Sequence, residues 1–140
     1  MDSLVSTGWL AGHLDDPGLV ILDATKHLAA SGRDAGAEFL AAHIPGARFL
    51  SLGEFADPAS SVGKTLPGPR QAAIRFSSLG IEPRSRVVLY DDSAVKTSAR
   101  AWFMLRGYGV KSVAILDGGL AKWRAEGRPL ERGKGKGAKS

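Results

Sequence analysis

The chain has 140 residues, no Cys, three His, and 19 Lys and Arg against 14 Asp and Glu, for a formal charge of +5. That is one ordinary domain, and 44% apolar with 24% charged residues describes a folded globular protein that buries roughly 65–70% of its unfolded surface. The absence of Cys excludes disulfides, Cys–zinc sites, iron–sulfur clusters and a thiolate nucleophile, and no run approaches the ~18 apolar residues of a membrane helix.

Met1 to Leu10 carries Asp2 and no basic stretch, so no signal peptide is expected, and the location expected is cytoplasmic. Trp9, Leu10, His13 and Leu14 fall at helical spacing behind Ser6, a suitable cap, and Asp15-Asp-Pro-Gly18 ends that helix. Leu19 to Leu22 reads as a short buried strand closed by Asp23, and 24–36 as a polar loop. A short helix is predicted at Ala37 to Ala42, a turn at His43-Ile-Pro45-Gly46, and a strand at Ala47 to Leu50. After a long loop at 51–68, Pro69 suits a first helical turn and Gln71 to Leu79 continues as helix.

The second half repeats the alternation. Arg86 to Tyr90 is a strand, Asp91 to Lys96 a loop, and Thr97 to Arg106 a helix with Ala101, Trp102 and Leu105 on one side. Ser112 to Leu116 is a strand, Asp117-Gly118-Gly119 a turn, and Leu120 to Glu126 a helix with Leu120 and Trp123 inward. Four near-continuous apolar strands separated by helices predict an α/β fold whose parallel sheet is covered on both faces.

The charge belongs to the C-terminal end. Lys122, Arg124, Arg128, Arg132, Lys134, Lys136 and Lys139 stand there against Glu126 and Glu131, a surplus of five, so residues 1–121 are neutral. Residues 132–140 are Gly- and Lys-rich without apolar periodicity. They are expected to form a disordered basic tail on a domain at 3–131, because such a segment cannot offset its ordering entropy by burial. A solvated tail accounts for this charge without a specific nucleic-acid partner, since no aromatic or Arg cluster is interleaved.

The segment Tyr90-Asp-Asp-Ser-Ala-Val-Lys-Thr97 joins a buried strand directly to a helix, which is where open α/β sheets bind ligands and where loop and helix amides form an anion cradle. Together with Val20-Ile-Leu-Asp23, Phe39-Leu-Ala-Ala-His-Ile-Pro-Gly-Ala47 and Val113-Ala-Ile-Leu-Asp-Gly-Gly-Leu-Ala-Lys-Trp123, it closely resembles the rhodanese family of sulfurtransferases. The two family signatures are the Gly-His-Ile-Pro-Gly-Ala element, with Ala42 in the Gly place, and the Leu-Asp-Gly-Gly-x-x-x-Trp element. The loop at 26–36 and the Tyr-Asp-Asp-Ser element resemble more specifically the N-terminal, non-catalytic half of two-domain thiosulfate or 3-mercaptopyruvate sulfurtransferases.

The resemblance implies a doubly wound, parallel five-stranded sheet with helices on both faces. It also implies a structural part for Asp23, His43, Pro45, Gly46, Asp117, Gly118, Gly119 and Trp123. In active members of the family a Cys opens the loop after the fourth motif strand, carries a sulfane sulfur as a persulfide, and passes it to a thiophilic acceptor. Here Asp91 holds that place, and the loop is Asp91, Asp92, Ser93, Ala94, Val95 and Lys96. A carboxylate forms no persulfide and opposes an anionic donor. Asp91 is therefore expected to occupy its own anion site and cap the following helix, worth about 0.5–2 kcal/mol. The chain stops where the family begins its linker to the catalytic half. The expected part is thus non-catalytic, with no cofactor and no metal, a catalytic rhodanese domain on another chain as the partner, and a small anionic sulfur donor only where that half is supplied.

Several residues admit two readings. Lys96 and Arg100 either attract an anion to the loop or pair with Asp91 and Asp92. His43 is expected as a hydrogen-bonded turn residue rather than a base, and His13 and His27 share no ligand spacing. Asp23, Asp91, Asp92 and Asp117 at strand ends would suit a Mg²⁺-dependent phosphoryl-transfer enzyme if they converged, although the family signatures already account for Asp23 and Asp117. Trp9, Trp102 and Trp123 fall on apolar helix faces, as core or interface residues do.

Overall fold

The apolar runs at 19, 47, 86 and 112 become strands of one parallel sheet. The structure, a computed structural model, describes residues 4–25, 32, 34–50, 74, 76–82, 85–92 and 97–133. Its strands are β1 (Leu4–Val5), β2 (Leu19–Asp23), β3 (Ala47–Phe49), β4 (Arg86–Tyr90) and β5 (Ser112–Leu116). They lie in the order β1-β5-β4-β2-β3, with every neighbouring pair parallel. The residue-by-residue reading found only four. β1 is two residues long, too short to show any periodicity, and exists because Leu4 and Val5 pair with Ile115 and Leu116.

The helices are α1 (Thr7–Ala11), α2 (Ala35–Ala41), α3 (Thr97–Gly107) and α4 (Gly119–Ala125). One sheet face offers Ile21, Val88, Tyr90 and Ala114, and buries Leu10 of α1, Phe39 of α2, and Leu120 and Trp123 of α4. The opposite face offers Val20, Leu22, Val87, Leu89 and Val113, and buries Phe76 together with Ala101, Met104 and Leu105 of α3. Both faces of each central strand are therefore dry, which is why those strands read as continuous rather than alternating apolar runs.

Two helix boundaries differ from expectation. α1 stops at Ala11 instead of reaching Leu14. Gly12 shares its N–H between the carbonyls of Gly8 and Trp9, and the His13 ring takes the Trp9 carbonyl at 2.6 Å while stacking on the Trp9 ring. α2 begins two residues early because Asp34 caps it, accepting the Ala37 N–H at 3.0 Å. Ile74 and Phe76 to Ser78 are helical as predicted. Pro69, Gln71, the loop at 51–68, His27 and the tail from Lys134 lie outside the described residues, as does the loop stretch 93–96.

β2 leads outward to β3, whereas β4 leads the other way to β5. The C-terminal ends of β2 and β4 therefore form the topological switch point, and the loops diverging there leave a crevice.

Candidate functional site

The crevice is laced together by hydrogen bonds between the two strand ends. Ala24 donates its N–H to the Tyr90 carbonyl at 2.8 Å, Thr97 donates its hydroxyl to the Ala24 carbonyl at 2.6 Å, and Asp92 donates its N–H to Thr25 Oγ1 at 3.0 Å. Asp91 accepts from both neighbouring helices. Its Oδ2 receives the Ser98 N–H at 2.8 Å, inside the first turn of α3, and its carbonyl receives the Leu120 N–H at 3.1 Å, at the start of α4. One residue thus ties β4 to both helices. Ser98 is buried at 2% exposure, and among the described residues its Oγ has no hydrogen-bond partner.

The Asp117-Gly118-Gly119 turn permits that approach. Gly118 precedes α4 with φ of 85° and Gly119 follows with φ of 60°, both in the left-handed region that side chains disfavour. Asp117 is exposed, and its N–H bonds the Val5 carbonyl at 2.8 Å, on the β1 side of the sheet.

Asp23, 3% exposed, sits beneath the crevice. Its Oδ1 accepts the Thr25 N–H at 2.9 Å, and its carboxylate shares a hydrogen bond with Tyr90. The Tyr90 oxygen in turn accepts the Ile44 N–H at 3.3 Å. Burial pushes the Asp23 carboxyl above its ordinary value, and the charge of Asp91 adds to this, against the lowering by Thr25 and Tyr90. Burial, seconded by the Asp23 charge, also raises the Tyr90 phenol.

The raised Asp23 value fixes a sign. A carboxyl whose folded value exceeds its unfolded one supplies stability that is complete below the ordinary carboxylate range and lost as pH rises through the raised value. Asp23→Asn carries no charge at any pH and escapes that loss. Thermal melts from about pH 3 to about pH 7 are expected to show the variant gaining on the parent chain as pH rises; a gap that stays flat contradicts the burial argument.

His43 is 1% exposed, with its Nδ1 at 2.9 Å from the Phe39 carbonyl and its ring stacked on Phe39. Its main chain pairs with Glu131 in both directions, at 2.9 and 2.8 Å. The Glu131 carboxylate receives the Gly46 N–H at 2.8 Å and stands 3.8 Å from His43 Nε2. Pro45 lies within this turn. Trp123 is fully buried and donates its indole N–H to the Pro129 carbonyl at 2.7 Å. Trp9 and Trp102 are half-buried.

Above the switch point lies a cleft of about 260 Å³ whose lining includes Asp23, Thr25, Glu38, Asp92, Leu120 and Arg124. Sequence reasoning singled out Asp23 and Asp92, and passed over Thr25, Glu38 and Arg124. No local pattern marks Glu38, and Arg124 was counted only as one member of the basic C-terminal stretch. Among the described residues no group of three or more His, Asp or Glu forms a candidate metal site. The four strand-end aspartates thus do not converge as a Mg²⁺ site requires. Arg100 is exposed in the first turn of α3, and Lys96, with Ser93, Ala94 and Val95, lies outside the described residues.

Comparison with known proteins follows the same geometry. Residues 6–126 match the family model described as the rhodanese-like domain. The chain is 40% identical over 130 residues to thiosulfate/3-mercaptopyruvate sulfurtransferase 2 of Arabidopsis thaliana, covering 93% of this chain and 38% of that protein. It is 39% identical over 132 residues to 3-mercaptopyruvate sulfurtransferase of Escherichia coli strain K12, covering 92% and 46%. Among solved structures, an Escherichia coli 3-mercaptopyruvate sulfotransferase superposes with a TM-score of 0.87 at 36% identity, over 95% of this chain and 51% of the other. The chain spans less than half the length of these two curated relatives.

Proposed function

The chain belongs to the rhodanese-like domain family, and from that premise we propose that it serves as the non-catalytic half of a sulfurtransferase, with Asp91 in the place of the sulfur-carrying Cys. One observation carries this reading. The chain has no Cys, and the residue that opens the loop after β4 is a carboxylate whose Oδ2 caps α3 through the Ser98 N–H. A thiolate would attack sulfane sulfur and hold it as a persulfide. A carboxylate is far less nucleophilic toward sulfur, and its charge repels an anionic donor.

The purified chain is expected to give no turnover above background in a thiosulfate:cyanide assay, and turnover would overturn the reading. Asp91→Cys is expected to restore at most weak activity, at least about a hundredfold below a Cys-containing relative. The introduced thiol would lie near the Asp23 and Asp92 carboxyls, which oppose its ionisation. Robust turnover by this variant would show the cradle to be competent already.

A second reading, a docking half for a separate Cys-containing sulfurtransferase domain, draws support from the relatives' greater length and from exposed apolar side chains. Phe103 is 71% exposed and Leu4 is 54% exposed. Size-exclusion chromatography of the chain mixed with a Cys-containing C-terminal half from a two-domain relative tests it: co-elution supports the reading and separate elution removes it. No helix among the described residues is long and apolar enough to cross a membrane.

A further inference from the structure

The outward side of α3 stays exposed and carries charge of one sign. Phe103, at its centre, is 71% exposed. Arg100 and Arg106, both exposed, stand three residues to either side, which on a helix makes them its neighbours at about 5–6 Å between β-carbons. The positions four residues to either side are Ala99 and Gly107, also exposed, and a β-carbon added at Gly107 would meet nothing within 4 Å. The phenyl ring therefore projects between two guanidinium groups and above two small shoulders. The Trp102 ring meets Phe103 edge-on with centroids 5.2 Å apart, and its indole N–H is held by the Val113 carbonyl at 3.0 Å. The Arg106 guanidinium lies 5.3 Å from the Trp102 ring centre and donates to the Lys111 carbonyl at 2.7 Å, which places Lys111 beside the same aromatic pair. We propose that this face docks a segment of a partner protein that presents an apolar side chain between carboxylates, the apolar group covering Phe103 and the carboxylates meeting Arg100, Arg106 and Lys111.

Charge complementarity selects this partner. From Ser93 to Leu116 the chain has Lys96, Arg100, Arg106 and Lys111 and no Asp or Glu. The side chains of Arg100 and Lys111 make no hydrogen bond or ion pair among the described residues, and a guanidinium has five N–H donors, so Arg106 keeps some to spare. A second copy of this chain, docked through the same face, would set these cations against their own kind. A partner with carboxylates pairs them, and a guanidinium fork fits a carboxylate bidentately. Aromatic and Arg side chains are also the types that protein interfaces concentrate at their centres. Two of the anchors are held before any partner arrives, Trp102 by its bond to Val113 and Arg106 by its bond to Lys111, so little ordering remains to oppose binding.

The surface is separate from the crevice. α3 runs from the end of β4 to the start of β5, and Trp102, Arg106 and Lys111 gather at that start, the opposite end of the parallel strands from the switch point. The inference goes beyond the docking of a catalytic half, because its partner is defined by acidic and apolar chemistry, and a peptide titration succeeds or fails whether or not that half co-elutes. The full chain is titrated with a short peptide carrying Leu-Phe between two Glu-Glu pairs while backbone amide shifts are followed by NMR. The same peptide with Ser-Ser for Leu-Phe, and single-stranded oligouridylate, serve as comparisons. The Leu-Phe peptide is expected to saturate, with shifts centred on 99–111 and none at Asp23 or Asp92, and to bind at least about tenfold more tightly than either comparison. Phe103→Ser is expected to weaken it about tenfold, and Arg100→Gln about threefold with a shallower dependence on salt, both with the melting temperature unchanged because the side chains are exposed. Equal binding of the Ser-Ser peptide would reduce the face to unspecific charge. Equal binding of oligouridylate would make it a nucleic-acid surface, and concentration-dependent shifts at 99–111 without peptide would assign it to a second copy. Any of these results, or the absence of a saturable shift, overturns the proposal.

Discussion

Trp123→Ala is expected to cost about 3–5 kcal/mol, a large share of the roughly 5–15 kcal/mol that holds a domain folded. Trp123 is fully buried with Leu10, Ile44 and Phe39 beneath the sheet, so truncation removes a large apolar surface and leaves a cavity that only partly relaxes. Its indole N–H also holds the Pro129 carbonyl, and the Arg128 guanidinium lies 5.7 Å from its ring centre. Those contacts start the return of the segment after α4 toward α2, where Glu131 pairs with His43 and Gly133 donates to the Leu40 carbonyl at 2.8 Å. Urea unfolding should show a lower midpoint with an unchanged slope. A loss under about 1 kcal/mol would mean that this helix contributes little to the core. Trp123→Phe keeps most of the volume but not the donor, and is expected to cost about 1–2 kcal/mol.

Gly119→Ala is the second large effect, about 2–5 kcal/mol, and it has two separable causes. A side chain at φ of 60° costs about 1–2 kcal/mol in the left-handed region. The new β-carbon would also stand 2.6 Å from the Asp91 carbonyl oxygen, and relieving that clash costs about 1–3 kcal/mol more while disturbing the Leu120 N–H bond to the same oxygen. Gly127→Ala supplies the control, with φ of 70° and nothing within 4 Å of the added carbon, so only the conformational part applies. Chemical denaturation of both variants should place Gly119→Ala lower by at least about 1 kcal/mol. Equal losses would show that α4 can move away from the end of β4.

Each of these effects joins a local motif to a distant partner, and that division marks how far the sequence could be read. The central strands were legible because a strand with two dry faces writes a continuous apolar run. Asp91 was legible because a strand leading straight into a helix brings the residue between them to the helix amides. β1 was not legible, since two residues carry no pattern and its pairing with β5 spans more than a hundred positions. α2 began early because Asp34, a residue with no apolar periodicity of its own, captured the Ala37 N–H. The four strand-end aspartates do not all meet, because Asp117 turns toward the β1 side while Asp23 and Asp92 line the cleft where the loops after β2 and β4 are laced together.

By itself, the sequence determined the α/β class, the family and the absence of a sulfur carrier, because composition, apolar runs and short motifs are local properties of the chain. Only the tertiary structure decided what the charges do. Arg124 and Glu131 belong on paper to one basic C-terminal stretch. In the fold, α4 carries the first over the switch point beside Glu38 and Asp92, and the returning segment presses the second against His43 and Gly46. Their neighbours come from about 30 to 90 positions away in the chain, brought near by the packing of α2 and α4 on one sheet face, and no spacing within the sequence encodes such a meeting.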